Sequence, residues 1–254
     1  MSSSTRSPRR LGDAPSLQSV DVPTTPPPED SISWKLWLGA QDLARDALQS
    51  DFVQGIANGS LDPNAYGHYS IQDVAYCVHG ESDYAKTVER ANAAGEPVLA
   101  AFAQARHDSY RSYTSSLLES WHLNNDQAVT PGPAARAYID FEQMVASTLP
   151  PIYLIVAMIP CDQLWPWLAE QVGPKVKPGN VYAFWPKENG GWHGAYRLDN
   201  FVDRWFADHP DQHDEATATW VFRSCVTGEV NFFRSACGQS LLPMPQRPPS
   251  TPEA

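Results

Sequence analysis

The sequence has little positive charge and no recognisable pattern of metal-binding histidines. It contains 254 residues, with 18 Lys and Arg against 29 Asp and Glu, and a formal net charge of −11. An acidic surface repels phosphates, so neither a nucleic acid nor an anionic membrane is expected as a partner. The seven histidines form no HExxH motif, so a metal site is not indicated. GxSxG, Walker and Rossmann motifs are also absent.

The sequence also predicts no disulfides, no membrane-spanning helix and no secretory signal. The four cysteines have no CxxC spacing, and without a secretory signal free thiols are the expectation. No apolar run approaches the roughly 18 residues that indicate a membrane-spanning helix. The arginines near the N-terminus are followed by no apolar core, so a secretory signal is not predicted. These features predict a soluble, cytoplasmic protein with no membrane partner.

Proline and serine are concentrated at the two ends of the sequence. Residues 1–32 are rich in Ser, Pro and Thr, and residues 241–254 read LLPMPQRPPSTPEA. Such composition cannot bury enough apolar surface to fold, so both segments are predicted to be disordered. The remaining segment, 33–240, is long enough for one domain with a sizeable core.

Within that domain, apolar residues recur at helical spacing, and no long stretch has the alternation of a half-buried strand. A first helix is predicted from Ser33, as N-cap, to Asn58 and Gly59, which favour a helix C-terminus. Asp62 and Pro63 suit the start of the next helix. Further helical segments are expected at roughly 95–122, 134–148, 152–172, 193–208 and 212–237, the last capped by Asp211. The fold class predicted is an all-α bundle of about seven helices.

The helix that follows Pro63 carries a possible binding carboxylate. Asp73 and Tyr76 are three residues apart, so their side chains are neighbours on one helix face. The face around them is apolar and aromatic, and a carboxylate there must find hydrogen-bond donors. The residues leave two interpretations open: a structural or surface aspartate, or a carboxylate that binds an amino-heterocycle.

Two later helices carry a thiol and a second acid. Cys161 follows Pro160 in an apolar helix, where the proline is expected to produce a kink beside the thiol. A buried cysteine is usually inert, so a structural role is the alternative to a nucleophile. Glu229 lies among apolar residues in SCVTGEVNFF, where a carboxyl group often acts as an acid or base. The alternative is a buried glutamate held by Arg223 or Arg234.

The sequence resembles the TenA/thiaminase II family along roughly residues 34–240. The stretch DFVQGIANGSLDPNAYGHYSIQDVAYC is similar to the family signature, and QDVAY, AMIPCDQLW and SCVTGEVNFF resemble three further family motifs in the same order. Tyr138 lies 23 residues before Cys161, which is the separation of the family's pocket tyrosine from its cysteine. Four helices therefore agree in order and spacing.

This resemblance implies a haem-oxygenase-like helical fold that binds no haem. It implies hydrolysis of the exocyclic C–N bond of an aminopyrimidine, either thiamine or its degradation product, with no metal or organic cofactor. Cys161 would be the nucleophile and Glu229 the acid and base. Asp73 would bind the amino group and ring nitrogen, while Tyr76 and Tyr138 would stack on the ring. A homo-oligomer, tetramer or dimer, is implied by resemblance alone.

Two positions depart from the family pattern. Trp165 replaces the usual tyrosine four residues after the cysteine, and Asn189 in FWPKENGGW replaces another. Both positions shape the substrate site in the family, so both are expected to bind substrate here. These departures leave open a different substrate from specialised metabolism. The sequence is also compatible with a di-iron oxidase on the same scaffold and with a non-catalytic pyrimidine-binding module.

Overall fold

The protein is an all-α bundle in a computed structural model that describes residues 22–123 and 129–248. In chain order the α-helices are α1 (Ile32–Leu38), α2 (Gln41–Leu48), α3 (Asp51–Asn58), α4 (Pro63–Ala93), α5 (Pro97–Ser120), α6 (Pro133–Thr148), α7 (Ile152–Val172), α8 (Trp185–Glu188), α9 (His193–Asp208) and α10 (Glu215–Ala236). Short 3-10 helices at Gly173–Lys175 and Pro210–Gln212 precede α8 and α10. The predicted fold class is confirmed.

The central helix of the bundle is α7. It packs against α6, α8, α9 and α10, and every residue from 152 to 160 is buried. The segment Ile152–Lys175 is long and apolar enough to cross a membrane by length and composition, but 78% of its most apolar stretch is buried inside the bundle. We therefore interpret α7 as a core helix. Its run of Ile and Val, residue types that are enriched in strands, is helical as predicted and continues through Pro160 and Pro166.

The predicted turn between α3 and α4 is confirmed, and it sets the start of the helix that carries Asp73. Gly59 ends α3 with φ of 73°, a left-handed conformation that glycine adopts without strain. The Asp62 carboxylate accepts a 2.8 Å hydrogen bond from the Asn64 backbone N–H, and Pro63 occupies the first turn. The end of α3 at Gly59 and the start of α4 at Asp62 and Pro63 depend on neighbouring residues only, which is why the sequence predicts them.

The N-terminal helical region differs from the prediction of one long helix. It forms α1, α2 and α3, and Ser31 rather than Ser33 caps α1. Ser33 instead donates hydrogen bonds to Asp203 on α9 from its backbone N–H and its hydroxyl, at 2.8 and 2.7 Å. The cap of α10 is Asp214, not Asp211, because Asp214 accepts a 2.7 Å hydrogen bond from the Thr217 N–H.

Parts of the predicted arms lie against the bundle. Asn200 donates hydrogen bonds to the Pro23 and Thr25 carbonyls, at 3.3 and 2.9 Å. Near the C-terminus, Asn231 exchanges hydrogen bonds with the Leu242 backbone, at 3.0 and 2.7 Å. The division into arms and domain stays a prediction, and residues 1–21 and 249–254 lie outside the described residues.

Candidate active site

Three polar side chains from three different helices come together: Asp73 of α4, Cys161 of α7 and Glu229 of α10. Each is close enough to alter the ionisation of another, since Asp73 raises the pKa of Glu229 and both acids raise the pKa of Cys161. Burial raises the pKa of Tyr69 on α4, and all three groups raise it further. The structure therefore brings together the acid, thiol and second acid that the sequence singled out.

We interpret the place where Asp73 and Cys161 come together as a recess, because neither residue is fully buried. Both residues are only half-buried, as is Trp165, although protein atoms surround their polar groups closely. Glu229 lies deeper, with 4% of its surface exposed. A half-exposed group in a crowded setting is typical of a ligand-binding cleft. A ligand entering there would meet Asp73 and Cys161 before it met Glu229.

The Glu229 carboxylate is held by neutral donors. The Tyr138 hydroxyl donates to Oε1 and the Trp165 indole N–H donates to Oε2, both at 3.2 Å. Burial, with the charge of Asp73, raises the pKa of Glu229 to about 7, and the hydrogen bonds from Trp165, Tyr138 and Cys161 oppose that rise. A carboxyl group with this pKa can both accept and donate a proton near neutral pH.

The arginines that could have held Glu229 bind elsewhere. Arg223 donates to both carboxylate oxygens of Asp42, at 2.9 and 2.8 Å. Arg234 donates to the Ser240 carbonyl at 2.5 Å. The interpretation of Glu229 as the buried half of an arginine pair is therefore wrong for both arginines.

Asp73 is a carboxyl group without a described protein partner. Burial alone raises its pKa to about 7. In the part of the chain that the structure describes, no hydrogen bond reaches its oxygens. Because desolvating a carboxylate without donors is unfavourable, this group is suited to a ligand that supplies them.

The Cys161 side chain is a thiol rather than a thiolate at neutral pH. Burial raises its pKa well above the usual range, and the charges of Glu229, Asp162 and Asp73 raise it further. A nucleophilic thiolate must therefore form by proton transfer during the reaction. Glu229, which contacts the thiol, is placed to accept that proton.

Tyr76 and Tyr138 face each other beneath the recess. Their rings stack with centroids 4.8 Å apart, and they are 3% and 1% exposed. Stacking on a substrate ring stays a prediction for both, because neither presents an open ring face in this conformation. Both hydroxyl groups donate hydrogen bonds to buried carboxyl groups: Tyr138 to Glu229, and Tyr76 to Glu142 at 3.1 Å.

Trp165 and Asn189 take different places in the site. Trp165 stacks on Trp185 with ring centroids 5.5 Å apart, while its N–H binds Glu229. The Asn189 side chain donates to the Trp185 carbonyl at 2.8 Å, and Asn189 is 9% exposed. Through Trp185, Asn189 supports the indole of Trp165. Contact of either residue with substrate stays a prediction.

The sequence reasoning missed Glu142, which lies behind the two tyrosines on α6. It is 1% exposed, and burial raises its pKa well above the usual range. A signal was available, because Glu142 follows Tyr138 by four residues and shares its helix face. Gly228 is a second missed residue: a Cβ there would lie 2.5 Å from the Tyr138 ring, so glycine allows α10 to approach Tyr138.

Metal-ligating groups do not cluster in the described ranges. Across residues 22–123 and 129–248, no three His, Cys, Asp or Glu side chains are placed to hold a metal ion together. All four cysteines are free, with Cys161 and Cys237 half-buried. The side chains that come together at the recess are carboxyl, thiol and aromatic groups.

Comparison with known proteins gives relatives of similar sequence and fold. The chain is 27% identical over 185 residues to an aminopyrimidine aminohydrolase of Halalkalibacterium halodurans, covering 68% of this chain and 76% of that protein. It is 26% identical over 164 residues to an aminopyrimidine aminohydrolase of Bacillus subtilis, covering 60% and 66%.

Solved structures with the same fold include a TenA homologue from P. horikoshii OT3, with a TM-score of 0.65 at 21% identity, covering 81% of this chain and 98% of that one. A TenA homologue from Pyrococcus furiosus aligns with a TM-score of 0.62 at 15% identity, covering 81% and 99%. The family model for TENA/THI-4/PQQC matches residues 40–239. This match spans most of the sequence, and the chain belongs to the TENA/THI-4/PQQC family.

Proposed function

We propose that this protein is a cofactor-independent hydrolase that cleaves the exocyclic C–N bond of an aminopyrimidine, such as thiamine or its degradation product. The observation that carries the proposal is the convergence of Asp73, Cys161 and Glu229 at one half-buried recess. The two relatives named aminopyrimidine aminohydrolase support the substrate class.

Asp73 is suited to the edge of an aminopyrimidine. That edge presents an amino N–H beside a ring nitrogen with a lone pair. A protonated carboxyl group offers one acceptor and one donor, so it complements both atoms at once. With its pKa raised to about 7, Asp73 has this protonated form available near neutral pH. A ligand bound in this way would supply the hydrogen bonds that Asp73 lacks.

In the first half of the reaction, Cys161 would act as the nucleophile and Glu229 would transfer the protons. The Cys161 Sγ forms a bond to a carbon of the pyrimidine ring, while its proton passes to ionised Glu229. The electron pair that enters the ring then expels the exocyclic amine of the degradation product, and Glu229 returns the proton to the leaving nitrogen. With thiamine the thiazolium leaves as a neutral thiazole that takes no proton, and Glu229 releases its proton to water instead. Because the thiol is uncharged at neutral pH, deprotonation and attack are coupled in one step.

In the second half, water adds to the exocyclic methylene carbon and Glu229 takes its proton. The S–C bond then breaks, which restores the aromatic ring and releases the hydroxymethyl product. The departing sulfur recovers its proton from Glu229, so both residues return to their starting states. Splitting the displacement into addition and elimination makes each barrier lower than direct displacement of the amine by water.

The test is turnover of 4-amino-5-aminomethyl-2-methylpyrimidine and of thiamine by the purified protein and by C161A. We expect hydrolysis by the wild type and a loss of at least about a thousandfold in kcat for C161A. C237A is the matched control, because Cys237 is also free and half-buried. Equal rates for wild type and C161A would contradict the covalent route.

Trp165 favours a second candidate, hydrolysis of a different amino-heterocycle. Its N–H is already bound to Glu229 at 3.2 Å, so it has no donor left for a substrate. A panel of aminopyrimidines with different leaving amines would identify the preferred substrate. Binding across the panel without turnover would instead support the non-catalytic module.

The assembly and location of the protein belong to the same proposal. We expect a homo-oligomer, a dimer or tetramer, in the cytoplasm. Light scattering during size-exclusion chromatography would test the first point, and a monomer at micromolar concentration would contradict it. Fluorescence microscopy of the full-length protein fused to a fluorescent reporter would test the second.

A further inference from the structure

Arg106 is a buried arginine near the recess that has no part in the proposed reaction. It lies on α5 with 3% of its side chain exposed, and its Nη2 is 3.2 Å from Oδ2 of Asp162. Its Nε makes no hydrogen bond. Such a buried, incompletely satisfied ion pair adds little net stability, because desolvation offsets the attraction between the charges. Its electrostatic effect on neighbouring groups is therefore the more informative property.

Asp162 connects this arginine to the candidate nucleophile. It follows Cys161 on α7 and raises the pKa of the thiol. Its carboxylate points toward the start of α9, where a Cβ on Gly194 would lie 3.1 Å from Oδ2. Burial lowers the pKa of Arg197 on α9, and the charge of Arg106 lowers it further, while Asp162 opposes both effects. Asp162 is thus an anion next to Cys161 in the chain, and the Arg106 guanidinium pairs with its carboxylate.

The other titratable groups that face Cys161 are acids, phenols and a thiol. They are Glu229 on α10, Asp73, Cys77, Tyr69 and Tyr76 on α4, Tyr110 on α5 and Tyr138 on α6. None of these groups stabilises a thiolate by positive charge. The positive charge that pairs with Asp162 is the guanidinium of Arg106.

We propose that Arg106 is a positioning residue that holds Asp162 and cancels its charge, which lets the Cys161 thiol give up its proton. The buried position of Arg106 matters because a charge shielded from water is weakly screened. The catalytic consequence rests on the proposed function, in which Cys161 is the nucleophile. The electrostatic effect on the thiol does not depend on any substrate.

The test is the pH dependence of Cys161 alkylation by iodoacetamide, followed by mass spectrometry of the peptide that contains Cys161. In R106Q the charge of Asp162 is no longer cancelled, so we expect the midpoint of alkylation to rise by about one pH unit. In D162N the guanidinium is left without its anion, and we expect the midpoint to fall. R106K keeps the charge and should lie near the wild type.

The double variant R106Q/D162N separates charge from packing. It removes both charges, so its midpoint should return to the wild-type value or below it. R111Q is the matched control on α5, because Arg111 pairs with Glu81 and its side chain is 62% exposed. We expect no shift for this control. Circular dichroism would establish that each variant is folded.

Two results would overturn the proposal. One is an unchanged midpoint in folded R106Q, and the other is a double variant that shifts as far as R106Q alone. If R106Q does not fold, D162N tests the proposal in its place. An unchanged or higher alkylation midpoint in D162N would overturn the proposal. A structural role for Arg106 would change the unfolding temperature without moving the thiol titration.

Turnover distinguishes this inference from the proposed function. If both hold, R106Q lowers kcat at neutral pH with little change in KM, because binding by Asp73 is unaffected. A wild type that hydrolyses no aminopyrimidine but shows the predicted alkylation shifts would refute the proposed function alone. Active wild type with no shift in R106Q or D162N would refute this inference alone.

Discussion

Two carboxylates that meet helix α10 have opposite environments. Asp42 is 58% exposed at its side chain and binds Arg223 in a bidentate pair, which lowers its pKa to about 2. Glu229, six residues beyond Arg223, is 4% exposed and binds only neutral donors, and burial raises its pKa to about 7. A cationic partner in water makes a permanent anion, whereas burial among neutral donors makes a group that can exchange protons at neutral pH.

The largest effect that this comparison predicts is on catalysis. E229Q should lower kcat by roughly 10²–10⁴, the range lost when a general acid–base is removed. D42N should leave kcat unchanged, because Asp42 lies on the surface and binds Arg223. Steady-state kinetics at saturating aminopyrimidine would measure both. Equal losses in the two variants would show that the environment of Glu229 has no special role in the reaction.

A smaller effect should follow from removing one neutral donor. In the wild type, the hydrogen bond from the Trp165 indole N–H lowers the pKa of Glu229. W165F keeps an aromatic ring but removes this hydrogen bond. The pKa of Glu229 should therefore rise, and the acidic limb of the pH–rate profile should move up by about one pH unit at most. W167F, two residues along α7 and packed on Trp37, is the control and should not move the limb. A shift to lower pH in W165F would contradict the assigned hydrogen bond.

The smallest effect concerns stability, and its sign differs between the two kinds of carboxyl group. The folded-state pKa of Glu142 is raised by burial, so its contribution to stability is present below the unfolded pKa of about 4.3 and is lost as pH rises. E142Q should therefore gain stability relative to the wild type between pH 5 and 8, by at most about 1.4 kcal/mol per pH unit.

The folded pKa of Asp42 is lowered, so its contribution is present above the unfolded pKa of about 3.9 and is lost as pH falls toward 2. D42N should therefore lower the free energy of unfolding only at pH values above about 3.9, and by less than about 1 kcal/mol, because water screens the pair. Urea unfolding of the two variants at several pH values would measure both trends. Parallel pH dependence for E142Q and D42N would contradict the comparison.

The sequence predicts those parts of the structure that depend on neighbouring residues. Gly59, Asp62 and Pro63 end α3 and begin α4 as expected, because capping involves atoms only a few residues apart. Ser33 does not cap its helix because Asp203, 170 positions away, takes both its N–H and its hydroxyl. No local pattern contains that competition.

The candidate site shows the same division. The sequence identifies Asp73, Cys161 and Glu229, because each has apolar neighbours at helical spacing and falls in a family motif. Glu142 and Arg106 were missed, because their burial depends on how α6 and α5 pack on other helices. Periodicity gives the face of a helix, but it does not give the depth of a side chain or its partner.

The most direct test of the account is a crystal structure of C161A with bound 4-amino-5-aminomethyl-2-methylpyrimidine. We predict that the amino edge of the ring will lie on the Asp73 carboxyl group, with a ring carbon beside position 161 and the exocyclic nitrogen toward Glu229. A ring bound elsewhere, or one that leaves Asp73 without a partner, would contradict the assignment of this recess as the active site.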